Sequence, residues 1–418
     1  MNLLPLALKS LRQRRAGVLL TAITIALSVF LLLGVERVRV DARQGFSSTV
    51  SGTDLIVGAR SGPITLLLYA VFHVGEATNN ITWKTYQDIQ SMPEVAWTVP
   101  LSLGDSHRGF RVTGTTTDFF VHYHYGAKQA LSFSKGGPFS DLYDAVIGSE
   151  VASQLHYKVG DSIVLAHGLG GPATALHADK PFRIVGILAP TGTPVDATIA
   201  VSLEAIEAIH VDWRGGVRLP GMEASAESAR HMDLTPKAIT ACLVGLKSRL
   251  SAFAVQRAVN EYPDEALLAV LPGVALGELW HLIGTAENAL RAISVMVVLV
   301  GMCGMLTALL SMLNERRREM AILRAVGASA RSVFALLVIE STLLTALGAA
   351  LGAGLLFSVV ALGHDYLLAN AGLVLSLAPS LTEWALLGAV LVLGVLAGAI
   401  PGLIAYRRSL IDGLQVRL

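Results

Sequence analysis

Four long apolar segments constrain the fold of this 418-residue chain more than any other feature of its sequence. Each has roughly the 20 mainly apolar residues, rising about 1.5 Å apiece, that an α-helix needs to cross a hydrocarbon core about 30 Å thick. An apolar run at 64–74 is about half that length and predicts a buried or membrane-surface segment instead. The predicted spans are residues 16–35, 292–313, 333–362 and 384–404.

The composition fits a chain that lies partly in lipid and partly in water. Hydrophobic residues make up 53% of the chain and charged residues 15%, which is too apolar for an ordinary soluble enzyme. Residues 36–291 are long enough for one large or two small domains, and helical spacing alternates there with strand-like runs such as 182–188 (FRIVGIL). A strand-rich subdomain is predicted at about 145–202. The predicted fold class is therefore an α-helical membrane protein with four transmembrane helices and a large external (periplasmic) α+β domain inserted between helices 1 and 2.

Basic residues next to the spans indicate which side faces the cytoplasm. Three clusters of Lys and Arg all fall on one side of the predicted spans, whereas the loop 363–383 contains neither residue. These clusters lie in the segments 1–15, 314–332 and 405–418. We therefore predict a multi-pass membrane protein with both termini in the cytoplasm. Arg37, Arg39 and Arg43, just outside the first span, are the evidence against this orientation.

A cleavable signal peptide is the alternative interpretation of the first 35 residues. However, the apolar run is longer than a typical signal core, and VERVRVDAR follows it in place of a small-x-small cleavage site. We expect this helix to be retained.

A search for catalytic motifs finds none. The sequence contains no G-x-x-x-x-G-K-[ST], G-x-S-x-G, H-E-x-x-H or C-x-x-C. Its 32 basic and 31 acidic residues give no overall field that would attract nucleic acid. We predict no catalytic residues, no bound cofactor and no nucleic-acid partner.

His122 and His124 form the one ambiguous histidine pair. On a strand, residues two apart face the same side, where two imidazoles can share a metal ion. No third ligand follows at a fixed spacing, and exposed strand histidines explain the pair at least as well. We predict no metal site, with His122 and His124 as the candidates if one is present.

Two features inside the spans indicate helix contacts. Glu340 is an acidic residue in a predicted span, where it acts either in a proton relay or, as we favour, as a structural polar contact. Glycines four residues apart let another helix approach closely, either within the subunit or in a helix-packed dimer. These glycines are Gly348 and Gly352 in the third span and Gly394, Gly398 and Gly402 in the fourth.

The basic loop between the second and third spans has the pattern of a short amphipathic helix. Glutamates and arginines three apart support such a helix in water. Met320, Leu323 and Val326 supply an apolar stripe, and Gly327 ends the pattern. A juxtamembrane turn anchored to anionic lipid is the alternative, but it requires neither the glutamates nor the stripe. A helix that docks on another protein explains the loop better.

The sequence ERRREMAILRAVGAS, followed by VIESTLLTALGAALGAGL, resembles the signature of the FtsX/MacB/LolC superfamily of ABC-transporter permeases. The opening ALKSLRQRRAGVLLTAITIALSVFLLLGV and the ending IPGLIAYRRSLIDGLQVRL are similar to the first helix and the tail of that family. The resemblance implies a coupling helix at 314–332 that contacts an ATPase. Its implied contact residues are Glu315, Arg316, Glu319, Arg324, Ala325 and Gly327.

The same resemblance implies the partners and the function. No ATPase domain precedes the first span, unlike the MacB type, so we expect ATP and Mg²⁺ to be bound by a separate ABC ATPase subunit and the chain itself not to be an enzyme. We expect two such chains, identical or different, to pair within the lipid, and the external domain to meet a periplasmic partner. The expected function is to couple ATP hydrolysis to movement of the external domain for export, extraction or mechanotransmission.

Two other functions stay open. One is a non-transporting, FtsX-like regulatory subunit that acts on an external partner. The other is a membrane-anchored receptor or scaffold with no ATPase.

Overall fold

The computed structural model describes residues 3–13, 15–49, 51–168, 176–214, 217–218, 224–315, 327–371 and 378–412. The chain divides into two compact units. The helical unit comprises Met1–Asp41, Gly284–His364 and Leu375–Leu418, and the α+β unit comprises Ala42–Ile283 and Asp365–Val374.

Helices and strands alternate through the α+β unit and give way to long helices at both ends of the chain. The helices are α1 (Leu3–Gln13), α2 (Arg15–Ser48), α3 (Pro63–Val71), α4 (Trp83–Gln90), α5 (Asp118–His122), α6 (Ser149–Leu155), α7 (Leu203–His210), α8 (Ala226–Arg230), α9 (Ala252–Asn260), α10 (Pro272–Glu315), α11 (Ala330–Ala371) and α12 (Leu381–Asp412). The strands are β1 (Leu55–Ala59), β2 (Ile81–Thr82), β3 (Val95–His107), β4 (Phe110–Thr115), β5 (His124–Tyr125), β6 (Gln129–Ala130), β7 (Phe133–Gly136), β8 (Asp144–Ile147), β9 (Ser162–Ile163), β10 (Ala166–His167), β11 (Phe182–Leu188), β12 (Thr198–Ser202), β13 (Trp213–Arg214), β14 (Val217–Arg218), β15 (Ala238–Ile239), β16 (Ala241–Leu246) and β17 (Leu267–Val270).

Among the described residues, 4 helices are long and apolar enough to cross a membrane: α2, α10, α11 and α12. With the α+β unit between the first and second of them, the predicted fold class is confirmed. The helices are longer than the predicted spans. The difference is clearest for α10, which begins at Pro272, whereas the predicted span begins at Ala292. The length rule measures only the apolar run, whereas a helical backbone continues through polar residues as long as its hydrogen bonds are kept.

One mixed sheet organises the α+β unit. Its main path has the order β17-β1-β16-β3-β4-β12-β8-β11-β7, and the short strands β10 and β9 pair with β3 and β11. The long strand β3 joins the two parts of the sheet, because it pairs with β16 through Leu101 and with β4 from Ser102 onward. The strand predicted at 182–188 is present with those bounds. The predicted strand-rich region thus belongs to the same sheet as β3 and β4.

The apolar run at 64–74 is a buried helix of the α+β unit. Pro63 starts α3 at a position where a missing backbone N–H costs nothing, and the left-handed backbone of His73 (φ 54°) follows its end. Leu66 and Leu67 are fully buried in the apolar core that also contains Ile56 of β1. The half-length run is therefore a core segment, one of the two interpretations that its length allowed.

Candidate functional site

The predicted coupling segment lies only partly within the described residues. α10 runs to Glu315, and the side chain of Ser329 accepts a hydrogen bond from the backbone N–H of Ser332 at the start of α11. Between them Gly327 has a φ of 99°, which glycine adopts without steric strain and which is common just after a helix end. Contacts of the remaining coupling residues stay predictions because those residues lie outside the described ranges. They are Arg316, Glu319, Arg324 and Ala325.

The glycines of the third span face the first span of the same chain. A Cβ added to Gly348 would lie 2.6 Å from Cβ of Ile25, and one added to Gly352 would overlap the backbone oxygen of Ala26. Real Cβ atoms do not approach so closely, so only glycine allows α11 to pack against α2 at this distance.

The glycines of the fourth span face the third span. Each Cβ added there would lie 2.6–2.8 Å from a side-chain carbon of α11. The facing residues are Thr345 for Gly394, Ser341 for Gly398 and Phe334 for Gly402. Both glycine seams therefore pack helices within one chain, and neither supports the helix-packed dimer for which they were candidates.

Glu340 lies in the interior of the helical unit. It is 2% exposed, and its neighbour in sequence, Ser341, is fully buried. The hydroxyl of Ser341 donates to the backbone carbonyl of Val338 within the same helix. A structural polar contact and a proton relay both remain hypotheses for this carboxyl group.

Two of the three arginines that argued against the predicted orientation form ion pairs in the helical unit. Nε of Arg37 lies 2.6 Å from Oε1 of Glu383, both side chains are at most 4% exposed, and the guanidinium lies over the ring of Phe357 at 4.7 Å. Arg39 pairs with Glu36 at 2.7 Å. These arginines are therefore neutralised by carboxylates, which weakens them as evidence for a cytoplasmic surface.

His122 and His124 do not lie together on one strand, the arrangement in which they could share a metal ion. His122 ends α5 and stacks on the indole of Trp97 with ring centroids 4.7 Å apart. His124 begins the short strand β5, and its Nδ1 lies 2.8 Å from the backbone carbonyl of His122. The shared strand on which the metal alternative depended is therefore absent from this segment, because the helix extends to the first histidine and leaves only the second on a strand.

A different group of four side chains meets in the α+β unit. We call Asp105, His167, His177 and His210 the Asp/His cluster, since each offers a ligand atom within 4.8 Å of the others. Asp105 follows Gly104 in a bulge of β3, and His167 is its direct cross-strand partner on β10. Bulges re-aim side chains, and directly paired strand residues lie on one face.

The remaining two members reach the cluster from other segments. The backbone N–H of His177 donates to the carbonyl of Leu165, which holds it beside β10. His210 is the last residue of α7, and its Nδ1 lies 2.8 Å from the carbonyl oxygen of Ile206 one turn earlier. The ring of Trp213 packs against that of His177 at 4.5 Å. A residue of β10, a loop residue and a helix end are thus brought to Asp105 on β3.

Protonation in the cluster is set by burial and by the aspartate. Burial opposes ionisation of Asp105, but the imidazoles of His167 and His210, whose ring nitrogens lie 3.3 Å and 3.4 Å from its Oδ1, outweigh it and lower the pKa to about 2. Burial, with the neighbouring His210, lowers the pKa of His177 to about 4. Burial also lowers the pKa of His210, but the nearby Asp105 carboxylate favours the protonated ring and raises the pKa overall. At neutral pH the cluster therefore combines a carboxylate with a neutral, buried imidazole.

The sequence analysis missed this cluster for a definable reason. Consecutive members are 62, 10 and 33 residues apart and match no short metal-ligand motif, so no local pattern connects them. The one available signal was that ten of the eleven histidines lie between residues 36 and 291.

Comparisons with known proteins match both ends of the chain to family models. Residues 18–261 match the family model described as MacB-like periplasmic core domain, and residues 291–411 match that of the FtsX-like permease C-terminal. The crystal structure of the periplasmic region of MacB from Actinobacillus actinomycetemcomitans is 8% identical, with a TM-score of 0.33, and covers 55% of this chain and 94% of that one. The extracellular domain of the transporter YknZ from Gram-positive bacteria is 12% identical, with a TM-score of 0.31, and covers 52% of this chain and 99% of that one.

Two curated relatives extend over most of the chain. The macrolide export ATP-binding/permease protein MacB of Nitrobacter winogradskyi is 25% identical over 362 residues, which are 82% of this chain and 51% of that protein. An uncharacterized ABC transporter permease of Methanocaldococcus jannaschii is 24% identical over 428 residues, covering 96% of this chain and 93% of that protein. The chain thus spans about half of the MacB relative and nearly all of the archaeal permease. With one family model matching more than half of its length and a second covering its C-terminal helices, this multi-pass membrane protein belongs to the MacB/FtsX-like family of ABC transporter permeases.

Proposed function

We propose that this chain is a permease subunit that couples ATP hydrolysis by a separate cytoplasmic ATPase to movement of its external α+β domain. Family membership supports this proposal, because an ABC permease works with an ATPase. ATP and Mg²⁺ would be bound by that ATPase. The basic segment 314–332 and both termini would face it from the cytoplasmic side of the bacterial inner membrane.

Close packing among the spans is the observation that carries the mechanical part of this proposal. α11 packs against α2 through Gly348 and Gly352, and α12 packs against α11 through Gly394, Gly398 and Gly402. Helices in such close backbone contact resist sliding past one another and move as one body, because packed interiors transmit strain. A push on the loop before α11 would therefore displace three spans together.

Movement of the external domain would export or extract a substrate or act mechanically on an external partner. Two permease chains, identical or different, would bind two ATPases, and closure of the ATPase pair would drive both coupling segments. The MacB relative is named a macrolide export protein. For this chain we propose only that ATP hydrolysis moves the external domain. A reconstituted export assay would then distinguish a transporter from a regulatory subunit that transports nothing.

The test is charge reversal in the coupling segment. The double variant Glu319→Arg with Arg324→Glu should lose stimulation of ATP hydrolysis and capture of the ATPase that co-purifies with the wild type. Loss of contacts at the centre of a docking interface costs about 2 kcal/mol or more of binding, which corresponds to about a 30-fold weaker complex.

A matched control reverses an ion pair in the α+β unit. Lys84 and Asp264 lie 3.4 Å apart, with side chains 74% and 61% exposed. The variant Lys84→Glu with Asp264→Lys should keep both ATPase readouts at the wild-type level. If the coupling variant also behaves as wild type, the segment is a lipid-anchored turn and the proposed coupling is refuted.

A further inference from the structure

We propose that the Asp/His cluster is a binding site for one first-row transition-metal ion of the Zn²⁺ class in the external domain. The site goes beyond the permease function above, and it stands whether or not the chain couples to an ATPase. Its donor set would be one carboxylate oxygen, from Asp105, and three imidazole nitrogens, from His167, His177 and His210.

Three of the four donor atoms already have about the spacing of a tetrahedral shell. Four ligands at about 2.0–2.1 Å from a zinc ion lie about 3.3–3.4 Å from one another. Nδ1 of His167 lies 3.1 Å from Nε2 of His210 and 3.3 Å from Oδ1 of Asp105, and Nε2 of His210 lies 3.4 Å from the same oxygen. Nε2 of His177 lies 4.0 Å from it. An ion at the centre would need only a small movement of that last ring.

Buried polar atoms without hydrogen-bond partners lie at this position. Among the described residues, Oδ1 of Asp105 and both ring nitrogens of His177 are buried and form no hydrogen bond that meets distance and angle requirements. A buried polar group left in this state costs about 1–3 kcal/mol, and more if it is charged. A cation bound between them would satisfy the carboxylate and one nitrogen together.

The surroundings orient the imidazoles for metal binding. In its neutral form His210 donates its Nδ1 proton to the carbonyl of Ile206, so the lone pair of Nε2 points toward Asp105. An outer hydrogen bond of this kind fixes the tautomer in protein metal sites. The nearby cation Lys180 is fully buried but pairs with Asp212 at 2.9 Å and Asp179 at 3.2 Å, so its charge is offset.

The site is accessible from solvent on one side. The side chain of His167 is 39% exposed, and it lines a cavity of about 270 Å³ together with Gly168, Arg111 and Glu76. An ion would enter through this cavity and displace water at His167 first. The other cluster members lie behind it, and the indole of Trp213 covers the ring of His177.

The donor chemistry selects the ion. Three nitrogens and one oxygen in a tetrahedral arrangement suit Zn²⁺, whereas Ca²⁺ takes six to eight oxygens and Mg²⁺ requires an octahedron of oxygens. Cu²⁺ binds nitrogen donors more tightly but prefers a tetragonal arrangement. Zn²⁺ is therefore the first ion to test, and Co²⁺ is its spectroscopic substitute.

The experiment uses the full chain, purified in detergent and stripped with EDTA. We expect it to take up one Zn²⁺ per chain by elemental analysis, to unfold at a higher temperature with Zn²⁺, and to show the visible absorption of tetrahedral Co²⁺. Asp105→Asn and His177→Gln should each weaken Zn²⁺ binding by more than the roughly 10–100-fold loss that follows removal of an outer-shell partner. Circular dichroism checks that each variant is folded.

His231→Gln is the matched control, because that side chain is 79% exposed and lies at 3.7 Å from Glu227, away from the cluster members. It should bind Zn²⁺ as the wild type does. The wild-type cobalt spectrum tests the site even if a cluster variant misfolds. Failure of the stripped wild type to bind Zn²⁺, a cobalt spectrum typical of octahedral coordination, or equal losses in His231→Gln and the cluster variants would overturn the proposal and leave a protonated imidazole as the counter-ion of Asp105.

Discussion

Removing one member of the Arg37–Glu383 ion pair should strongly destabilise the helical unit. Both side chains are at most 4% exposed, and the pair is bidentate, so Glu383→Gln would leave the guanidinium buried without its counter-charge. Breaking a buried pair from one side typically costs about 3–5 kcal/mol. Glu383 also accepts a hydrogen bond from the backbone N–H of Ser380 at the start of α12, and glutamine can keep this capping contact, so the expected loss comes from the unpaired charge.

The assay is thermal unfolding of the detergent-purified chain, followed by tryptophan fluorescence and by loss of soluble protein. A loss of about 3–5 kcal/mol would lower the Tm on the order of 10 °C for a unit of this size. Arg37→Met combined with Glu383→Leu should recover much of that loss, since replacing both partners by apolar groups is often neutral or stabilising. The double variant thereby separates the cost of an unpaired charge from the cost of lost packing.

Arg291→Gln is the matched control for this prediction. Its side chain is 50% exposed and lies 3.2 Å from Glu36, which keeps Arg39 as a partner. Partly exposed pairs contribute about 0–1 kcal/mol, so the Tm should fall by only a few degrees. If Glu383→Gln lowers the Tm no more than Arg291→Gln does, the pair is solvated in the membrane protein and the reasoning from burial fails.

Three further predictions concern topology, helix packing and the core. Cysteines introduced at Ser225 and Asn370 should react with an impermeant thiol reagent applied to intact cells, and one at Ala328 should not; labelling at Ala328 would contradict the positive-inside argument. Gly398→Leu should destabilise the chain by about 1–3 kcal/mol or more through overpacking against α11, and an unchanged Tm would mean that this seam is not in close contact. In a Cys303→Ala variant, which removes the exposed second thiol, burial raises the pKa of Cys242 to about 12, so at pH 8 it should react with a thiol reagent only after denaturation, and rapid labelling of the folded variant would show that β16 is exposed.

The sequence by itself determined the features that depend on neighbouring residues. The length of an apolar run identifies a membrane-spanning helix, because the bilayer sets a minimum length whatever the rest of the chain does. The same rule distinguished the half-length run at 64–74 from the membrane spans, and this run forms the buried helix α3. The motif around the basic loop was local as well, and the family matches confirm the resemblance that it indicated.

Only the tertiary structure decided which distant residues meet. Glycine spacing predicted a close helix contact. It could not show whether the contacting helix belongs to the same chain or to a second copy, and the structure shows that Gly398 faces Ser341 of the same chain. His122 and His124 are two residues apart and would share a face on a strand, yet helix α5 ends at the first and a strand begins at the second.

The Asp/His cluster shows the same limit most clearly. Asp105 meets His167 because β10 pairs with β3 across the sheet, and His210 arrives from the end of α7. No local propensity encodes such a meeting, since it depends on strand order and on a bulge that re-aims one side chain. Local chemistry fixed which segments enter the membrane, and the topology of the sheet brought these four side chains together.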